Sequence, residues 1–515
     1  MINMIIFSQV SDGYPRSLEK PKLEPGATTG SIRRPLERVT SRLQFPTAGS
    51  GKAVDTPKTS DSTNIEQPGQ LLEGRYRCLG HHARLAVRGK LSENAGYFRL
   101  GPDICYGRCS SGAPAESVTD PLHDAGDHVI TNGTSLELPF DPEQVVDSLR
   151  YERYLNSAND GNPVLANKAV RNAYYLLRPL MPVQVRKHFQ RLYFRRRIQT
   201  PFPQWPVDRT VENIIEQVML LAMKSQNVAK IPFIWFWPEG AKSCTMLTHD
   251  VETSAGVTFC PHLMDLDDSF GVKSSFQIVP EKRYPIPQSL MDTMRVRGFD
   301  VNVHDLNHDG RLFVERDQFM RRAERINGYA RQFQASGFRS AVMYRNVDWY
   351  DALEISYDMS IPNVAHMEPQ QGGCCTVLPF FVGKILELPL TTTQDYSLFH
   401  MFKDYSLKLW QQQITLIRQK SGLVSFGIHP DYIINTKARR VYIELLQYLA
   451  EMRERGETWI ASPNQVAAWW RLRSKLSLVN DGAAWRIEGE GCERARVAYA
   501  VLGSDKLTYD IARTR

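Results

Sequence analysis

The sequence predicts an α/β protein whose main domain is a parallel sheet closed into a barrel-like (β/α) array. Three observations predict it. From Pro232 onwards, short apolar runs of strand length alternate with longer amphipathic stretches of helical period, as βα units on a parallel sheet do. The alternation repeats often enough for barrel-like closure. Acids, histidines and an arginine recur just after the apolar runs, where the carboxyl ends of barrel strands gather.

Ahead of that region, residues 1–72 are expected to be disordered. The stretch 8–72 is rich in Pro, Gly, Ser, Thr and charge, and has too few spaced apolar positions to offset its ordering entropy. Residues 73–230 are expected to form an α+β appendage. Alternation places short strands at 84–87 and 97–100. Helices are expected at 143–153 and 167–177, the second stopped by Pro179 and Pro182. The basic run 186–197 (RKHFQRLYFRRR) interleaves Phe189, Leu192, Tyr193 and Phe194. A helix that packs these aromatics and solvates its arginines is the favoured reading over contact with nucleic acid, acidic glycan or membrane. A Pro-rich connector at 201–208 leads into a helix at 210–224.

The catalytic domain is placed at 231–475. Its strands are expected at 244–247, 275–278, 299–303, 338–342 and 424–428, with helices at 287–296, 316–334, 402–420 and 437–454. The segment 368–375, with Gly372-Gly373 and Cys374-Cys375, reads equally as a substrate loop or as a turn into a strand at 377–381. Residues 476–515 are expected to add a small β segment through the runs 484–487 and 496–500.

Composition bounds the function classes. The 515 residues are 42% hydrophobic and 23% charged, ordinary for a globular chain with a large core. A net charge of +7 is mild at this length, and no nucleic-acid partner is expected. Eight scattered cysteines lack the spacing of a disulfide framework and fit a reducing compartment. No apolar run approaches bilayer length, and the apolar start Met1 to Phe7 lacks the basic residues of a secretory signal, so a cytoplasmic protein without a membrane span is expected.

The chemistry lies at the strand ends. Asp250 and Glu252 follow the run 245–247, His304 and His308 follow 299–303, Arg339 follows Phe338, and His429 follows 424–428. Each alone is a weak signal; their joint placement is the strong one. Imidazoles four apart fall on one face of a helical turn and can converge on one ion. A carboxylate from the Asp250/Glu252 pair would complete a catalytic rather than a structural site. That donor set suits one divalent ion: zinc first on availability, with cobalt, iron or nickel also fitting. Aromatics in 344–350, Trp349 among them, suit stacking on a sugar ring or packing in the core.

These motifs resemble the polysaccharide deacetylase superfamily, the nodulation-protein-B homology domain of carbohydrate esterase family four, over roughly residues 232–473. The family's Thr-Phe-Asp-Asp-Gly reads Thr248-His249-Asp250-Val251-Glu252 here. The resemblance implies a distorted (β/α) barrel with Asp250 as catalytic base. The family's acidic ligand would fall on Val251, which cannot coordinate; the Asp-x-Glu branch moves it to Glu252, with Asp250 itself the other candidate. His-x-x-x-His matches His304 and His308 as metal ligands. Arg-x-Pro keeps Arg339, the partner of the base, but has Ala341 for the proline. Ile428-His429 matches the last motif and makes His429 the general acid. Asp358 is the candidate to orient His429 beside the substrate.

The resemblance implies a metal-dependent hydrolase of non-peptide C–N bonds, removing acetyl from an N-acetylated sugar or polysaccharide intermediate. Two other readings stand beside it. One is hydrolysis of another C–N bond in a small metabolite on the same fold. The other is a decayed glycan- or protein-binding module, for which Val251 and Ala341 are the grounds.

Overall fold

The computed structural model describes residues 70–78, 84–133, 135–156, 200–482, 484–504 and 506–512. Most of the expected disordered segment, the helix at 167–177 and the basic run 186–197 lie outside them. Helix α1 (Gln70–Tyr76) begins inside the stretch expected to be unstructured, because Leu71 and Leu72 are buried in the core.

Strands β1 (Arg84–Val87), β2 (Gly96–Leu100), β3 (Asp103–Gly107), β4 (Ile130–Asn132) and β5 (Ser135–Leu138) follow. They form a β2–β3 hairpin and a small β1–β5–β4 sheet. Helix α2 (Pro142–Arg150) starts on Asp141, whose carboxylate accepts from the Glu143 and Gln144 N–H groups, with proline at its first position. Helix α3 (Thr210–Gln226) then leads into β6 (Lys230–Ile234).

The main sheet is built from β7 (Cys244–Val251), β8 (Ser275–Ile278), β9 (Asp300–His304), β10 (Gly337–Arg339), β11 (Tyr357–Asp358), β12 (Phe380–Val382), β13 (Ile385–Glu387), β14 (Leu423–Ile428) and β15 (Trp459–Ile460). Its order is β12-β13-β11-β10-β9-β8-β7-β14, with β15 on the first residues of β7. All neighbours are parallel except the β12–β13 hairpin. Helices α4 (Ser254–Ser269), α5 (Gln288–Val296), α6 (Arg316–Gln332), α7 (Lys408–Arg418), α8 (Pro430–Ile433), α9 (Thr436–Glu454) and α10 (Pro463–Arg473) alternate with the strands.

The array is a curled half-barrel, as the distorted-barrel expectation has it. Among the described residues no strand ladder joins β13 to β14. That gap is bridged by threonines: the Thr391 and Thr392 hydroxyls donate to the Leu423 and Ser425 carbonyls at 2.7 Å each, and the Ser425 N–H returns to the Thr391 hydroxyl at 2.9 Å. These side chains, with one backbone bond from the Thr392 N–H to the Ser425 carbonyl at 3.2 Å, do the work of a ladder and place the residues after Thr393 against the end of β14.

The expected regional boundaries cut through shared structure. Beyond β16 (Ser477–Asn480) and β17 (Trp485–Glu488), strand β18 (Val497–Leu502) pairs with β6 on one side and β19 (Leu507–Ile511) on the other. One apolar cluster joins Leu72, Phe98 and Val218 to Phe236, Leu386, Leu423 and Ala498. The described residues of 73–230 and 476–515 therefore share a core with the barrel. The Gly372-Gly373 segment belongs to the same packing. Gly373 lies at a φ of 140° where a Cβ would fall 2.3 Å from the Asn363 carbonyl oxygen, and its N–H donates to Glu152 at 2.6 Å. It is a docking turn for the N-terminal region. Cys374 and Cys375 are buried beside it, and burial pushes both thiols well above the usual range. No helix of the described residues is long and apolar enough to cross a membrane.

Candidate metal centre and catalytic groups

Strand β7 runs four residues further than its apolar core suggested, because Thr248 to Val251 pair with β8 and Thr248 and His249 also with β14. Alternation along a strand then sorts the motif into two faces. Thr248 and Asp250 share one face: the Arg339 Nη1 donates to both, at 2.6 and 2.8 Å. His249 and Val251 point the other way. His249 Nε2 lies 3.0 Å from Asp267 on α4, and Val251 is fully buried in the apolar cluster. Val251 is thus a core residue, and Glu252 is the next position in phase with Asp250. Thr253 caps α4 by accepting from the Gly256 N–H, which turns the chain at that point.

Three imidazoles converge on Glu252. Its Oε1 lies 2.8 Å from His308 Nε2, 3.4 Å from His429 Nε2 and 3.6 Å from His304 Nε2. The Nε2 atoms of His304 and His308 are buried and make no in-line hydrogen bond. Buried nitrogens of this kind are normally satisfied, and two aimed at one carboxylate are donors suited to an ion. Glu252, His304 and His308 can bring one ligand atom each to within 4.8 Å of one another. His304 fits the role in its tautomer as well. Its Nδ1–H donates to the Arg339 carbonyl at 3.0 Å, which leaves the Nε2 lone pair free. His308 is held differently: Arg283 Nη2 donates to its Nδ1 at 2.8 Å. Were His308 to hold an ion through Nε2, its Nδ1 would carry the proton and Arg283 would have to give way.

The His304–His308 spacing works for a reason other than the expected helical turn. His304 closes β9, and the next four residues form a loop in which Asp305 (φ 55°) and His308 (φ 54°) are left-handed. The rings still meet, with centroids 4.8 Å apart. Non-glycine residues in that region are sparsely populated and cluster at functional sites. Asp305 holds the loop by accepting from the Ala341 N–H at 3.3 Å. A proline at 341 has no N–H to give, so Ala341 is fitted to its place.

Arg339, fully buried, also donates from Nε to the Met359 carbonyl at 3.0 Å. Burial opposes ionisation of Asp250, but the Arg339 guanidinium, with His304 and His429, holds its carboxyl below the usual range. Glu252 is driven well below it, burial again opposing and His308, His304 and His429 prevailing. Burial works against charging His304 too, yet Asp250 and Glu252 raise it.

The residue that orients His429 is Asp395, which the sequence reading missed. Its carboxylate accepts from His429 Nδ1 at 2.7 Å and from the His429 N–H at 2.8 Å. The threonine bridge delivers it there. Burial disfavours the imidazolium, but Asp395 and then Glu252 raise His429 well above the ordinary histidine value. A raised folded value means that the charged form contributes stability fully at pH below about 6.5. That contribution is lost as pH rises through the folded value. In metal-free Asp395→Asn, the His429 titration followed by NMR is expected to fall towards the ordinary value, and the extra stability below it to shrink. An unchanged His429 titration would contradict this account of Asp395.

Two expected site residues lie elsewhere. Asp358 is fully buried in β11, where it accepts from the Ser360 N–H at 3.0 Å and hydroxyl at 2.7 Å. It does not orient His429, whose Nδ1 is held by Asp395; the parallel ladder with β10 and β13 encloses it. Trp349 packs on Phe313 and Phe319 with centroids 6.2 and 5.4 Å away, the core-packing alternative rather than a sugar platform. Trp349→Ala is expected to cost roughly 2 kcal/mol of stability, below the value for a fully buried Trp, and to leave turnover per folded molecule unchanged. Thermal unfolding beside an activity assay checks both.

No family model matches the chain, and no curated protein matches it. Among solved structures it is similar to a protein from Mycobacterium smegmatis described as a polysaccharide deacetylase. The identity is 17% over 46% of this chain and 93% of the other, with a TM-score of 0.38. It is similar to Puue allantoinase at 10% identity over 46% and 92%, with a TM-score of 0.37. For the peptidoglycan deacetylase PdaC from Bacillus subtilis the identity is 11% over 44% and 93%, and the TM-score 0.30. These likenesses are of part of the chain.

Proposed function

We propose that this chain is a metal-dependent hydrolase that removes acetyl from an N-acetylated sugar or polysaccharide intermediate. The observation that carries the reading is the convergence of the His304 and His308 Nε2 atoms on Glu252, 3.6 and 2.8 Å from its Oε1, with Arg339 favouring the ionised form of Asp250 and Asp395 the cationic form of His429. Glu252, His304 and His308 would hold the ion, zinc being the first choice. When bound, it would polarise the acetamide carbonyl and acidify a water.

The chain's own groups do the rest. Asp250, kept ionised by Arg339, takes the proton from the water whose oxygen attacks the acetyl carbon. Arg339 fixes that carboxylate and is a positioning residue. Collapse of the tetrahedral adduct breaks the C–N bond, and the nitrogen leaves with the proton of His429 Nε2. His429 can donate there because Asp395 engages Nδ1 and keeps the ring cationic. Without that proton an amine anion would have to depart. The products are acetate and a free amine. Val251 and Ala341, the grounds for a decayed module, are accounted for by packing and by the Asp305 contact, which supports an intact site.

The test is acetate release from N-acetylated saccharides by zinc-loaded protein. Release that chelation stops and zinc restores is expected. No release from any acetylated saccharide, with zinc bound, would overturn the proposal.

A further inference from the structure

A hollow of about 410 Å³ opens beside the loop that carries the two histidines. Leu306 and Asn307, which lie between His304 and His308, form one wall, and Lys282, Arg321, Arg322 and Arg325 form the others. The volume is within the roughly 300–1,000 Å³ of small-molecule sites. The arginines stand at 321, 322 and 325 on one face of α6, and Lys282 comes from the β8–α5 loop.

A basic helix face is usually just solvated, so the charge balance decides. Asp309 engages Arg322 through two contacts of 2.7 Å, and Glu281 pairs with Arg325. Lys282 and Arg321 have no carboxylate partner among the described residues. The lining itself holds four cations and no acid, Asp309, Glu281 and Asp305 acting on the arginines from outside it, and the cations sit on two elements that close on the same space. Lys282 is held at a φ of 67°, a left-handed conformation a lysine seldom adopts. Two cations converging in a hollow are suited to an oxyanion, a phosphate monoester or a carboxylate.

We propose that this hollow is an anion subsite, so that the molecule acted on carries a phosphate or carboxylate group near the scissile amide. The assignment to substrate rests on the hydrolase reading; binding of the anion does not. The experiment is calorimetric titration of the full chain, chelator-treated so that phosphate cannot bind at Glu252, His304 and His308 through an ion. Inorganic phosphate and glucuronate are the two probes, glucose is the uncharged control, and Lys282→Ala/Arg321→Ala is the variant. Wild type is expected to bind at least one anion and not glucose. The double variant is expected to bind it at least tenfold more weakly while taking up zinc as wild type does. Which probe binds distinguishes phosphate from carboxylate. Binding of neither anion by wild type, or equal binding by wild type and variant, overturns the subsite. Loss of zinc uptake or of acetate release by wild type would count against the hydrolase reading alone.

Discussion

Asp250→Asn is expected to lower turnover by about 10²–10⁴-fold, the span a positioned general base contributes. Asparagine keeps the shape and an acceptor for the Arg339 guanidinium, but it cannot take a proton. Zinc uptake should stay close to that of wild type, because Asp250 is engaged by Arg339 while Glu252 faces the histidines. The variant should also be less stable, since Arg339 is fully buried and loses its counter-charge; breaking such a pair costs about 3–5 kcal/mol. Activity therefore has to be measured on folded, zinc-loaded protein below its melting temperature. Turnover equal to wild type would remove Asp250 from the chemistry. Loss of zinc together with turnover would make Asp250 the acidic ligand in place of Glu252.

His304→Ala and His308→Ala should each abolish metal-dependent turnover by another route. Each removes one of three donors, so zinc affinity is expected to fall by more than the roughly 10–100-fold that loss of an outer partner costs. The two variants should differ when metal-free. His304 is tied to the Arg339 carbonyl, whereas His308 is engaged by Arg283 from the β8–α5 loop. His308→Ala is expected to loosen that loop, seen as faster amide exchange around residue 283. Equilibrium dialysis against zinc, with exchange on the metal-free protein, checks both. Undiminished zinc uptake by both variants would mean that the ion binds elsewhere.

The alternation of strand and helix, and the clustering of acids, histidines and Arg339 at strand ends, were legible in the sequence because each is a local pattern. The reason given for His304 and His308 was not right. Spacing of four suggested a helical turn, but a left-handed Asp305 and His308 bring the rings together, and those dihedrals are not encoded in a spacing. Asp395 was illegible for another reason. It follows a threonine run with no periodicity, and it reaches His429, 34 positions on, only because Thr391 and Thr392 bond to β14. A polar run between two buried apolar segments was the available signal. Asp358 stood in its place as what the family resemblance implied for His429, and its burial between β10 and β13 is a tertiary fact. Val251 read as a lost ligand until the extended β7 placed it on the core face, with Glu252 in phase with Asp250.

The central claim is that Glu252, His304 and His308 hold one divalent ion beside Asp250. The most direct measurement is anomalous diffraction at the zinc edge from crystals of zinc-loaded protein. The account predicts one strong peak about 2.1 Å from the Nε2 atoms of both histidines and bonded to a Glu252 oxygen, with Arg283 withdrawn from His308. A peak at any other set of side chains, or none here with zinc in excess, would contradict it.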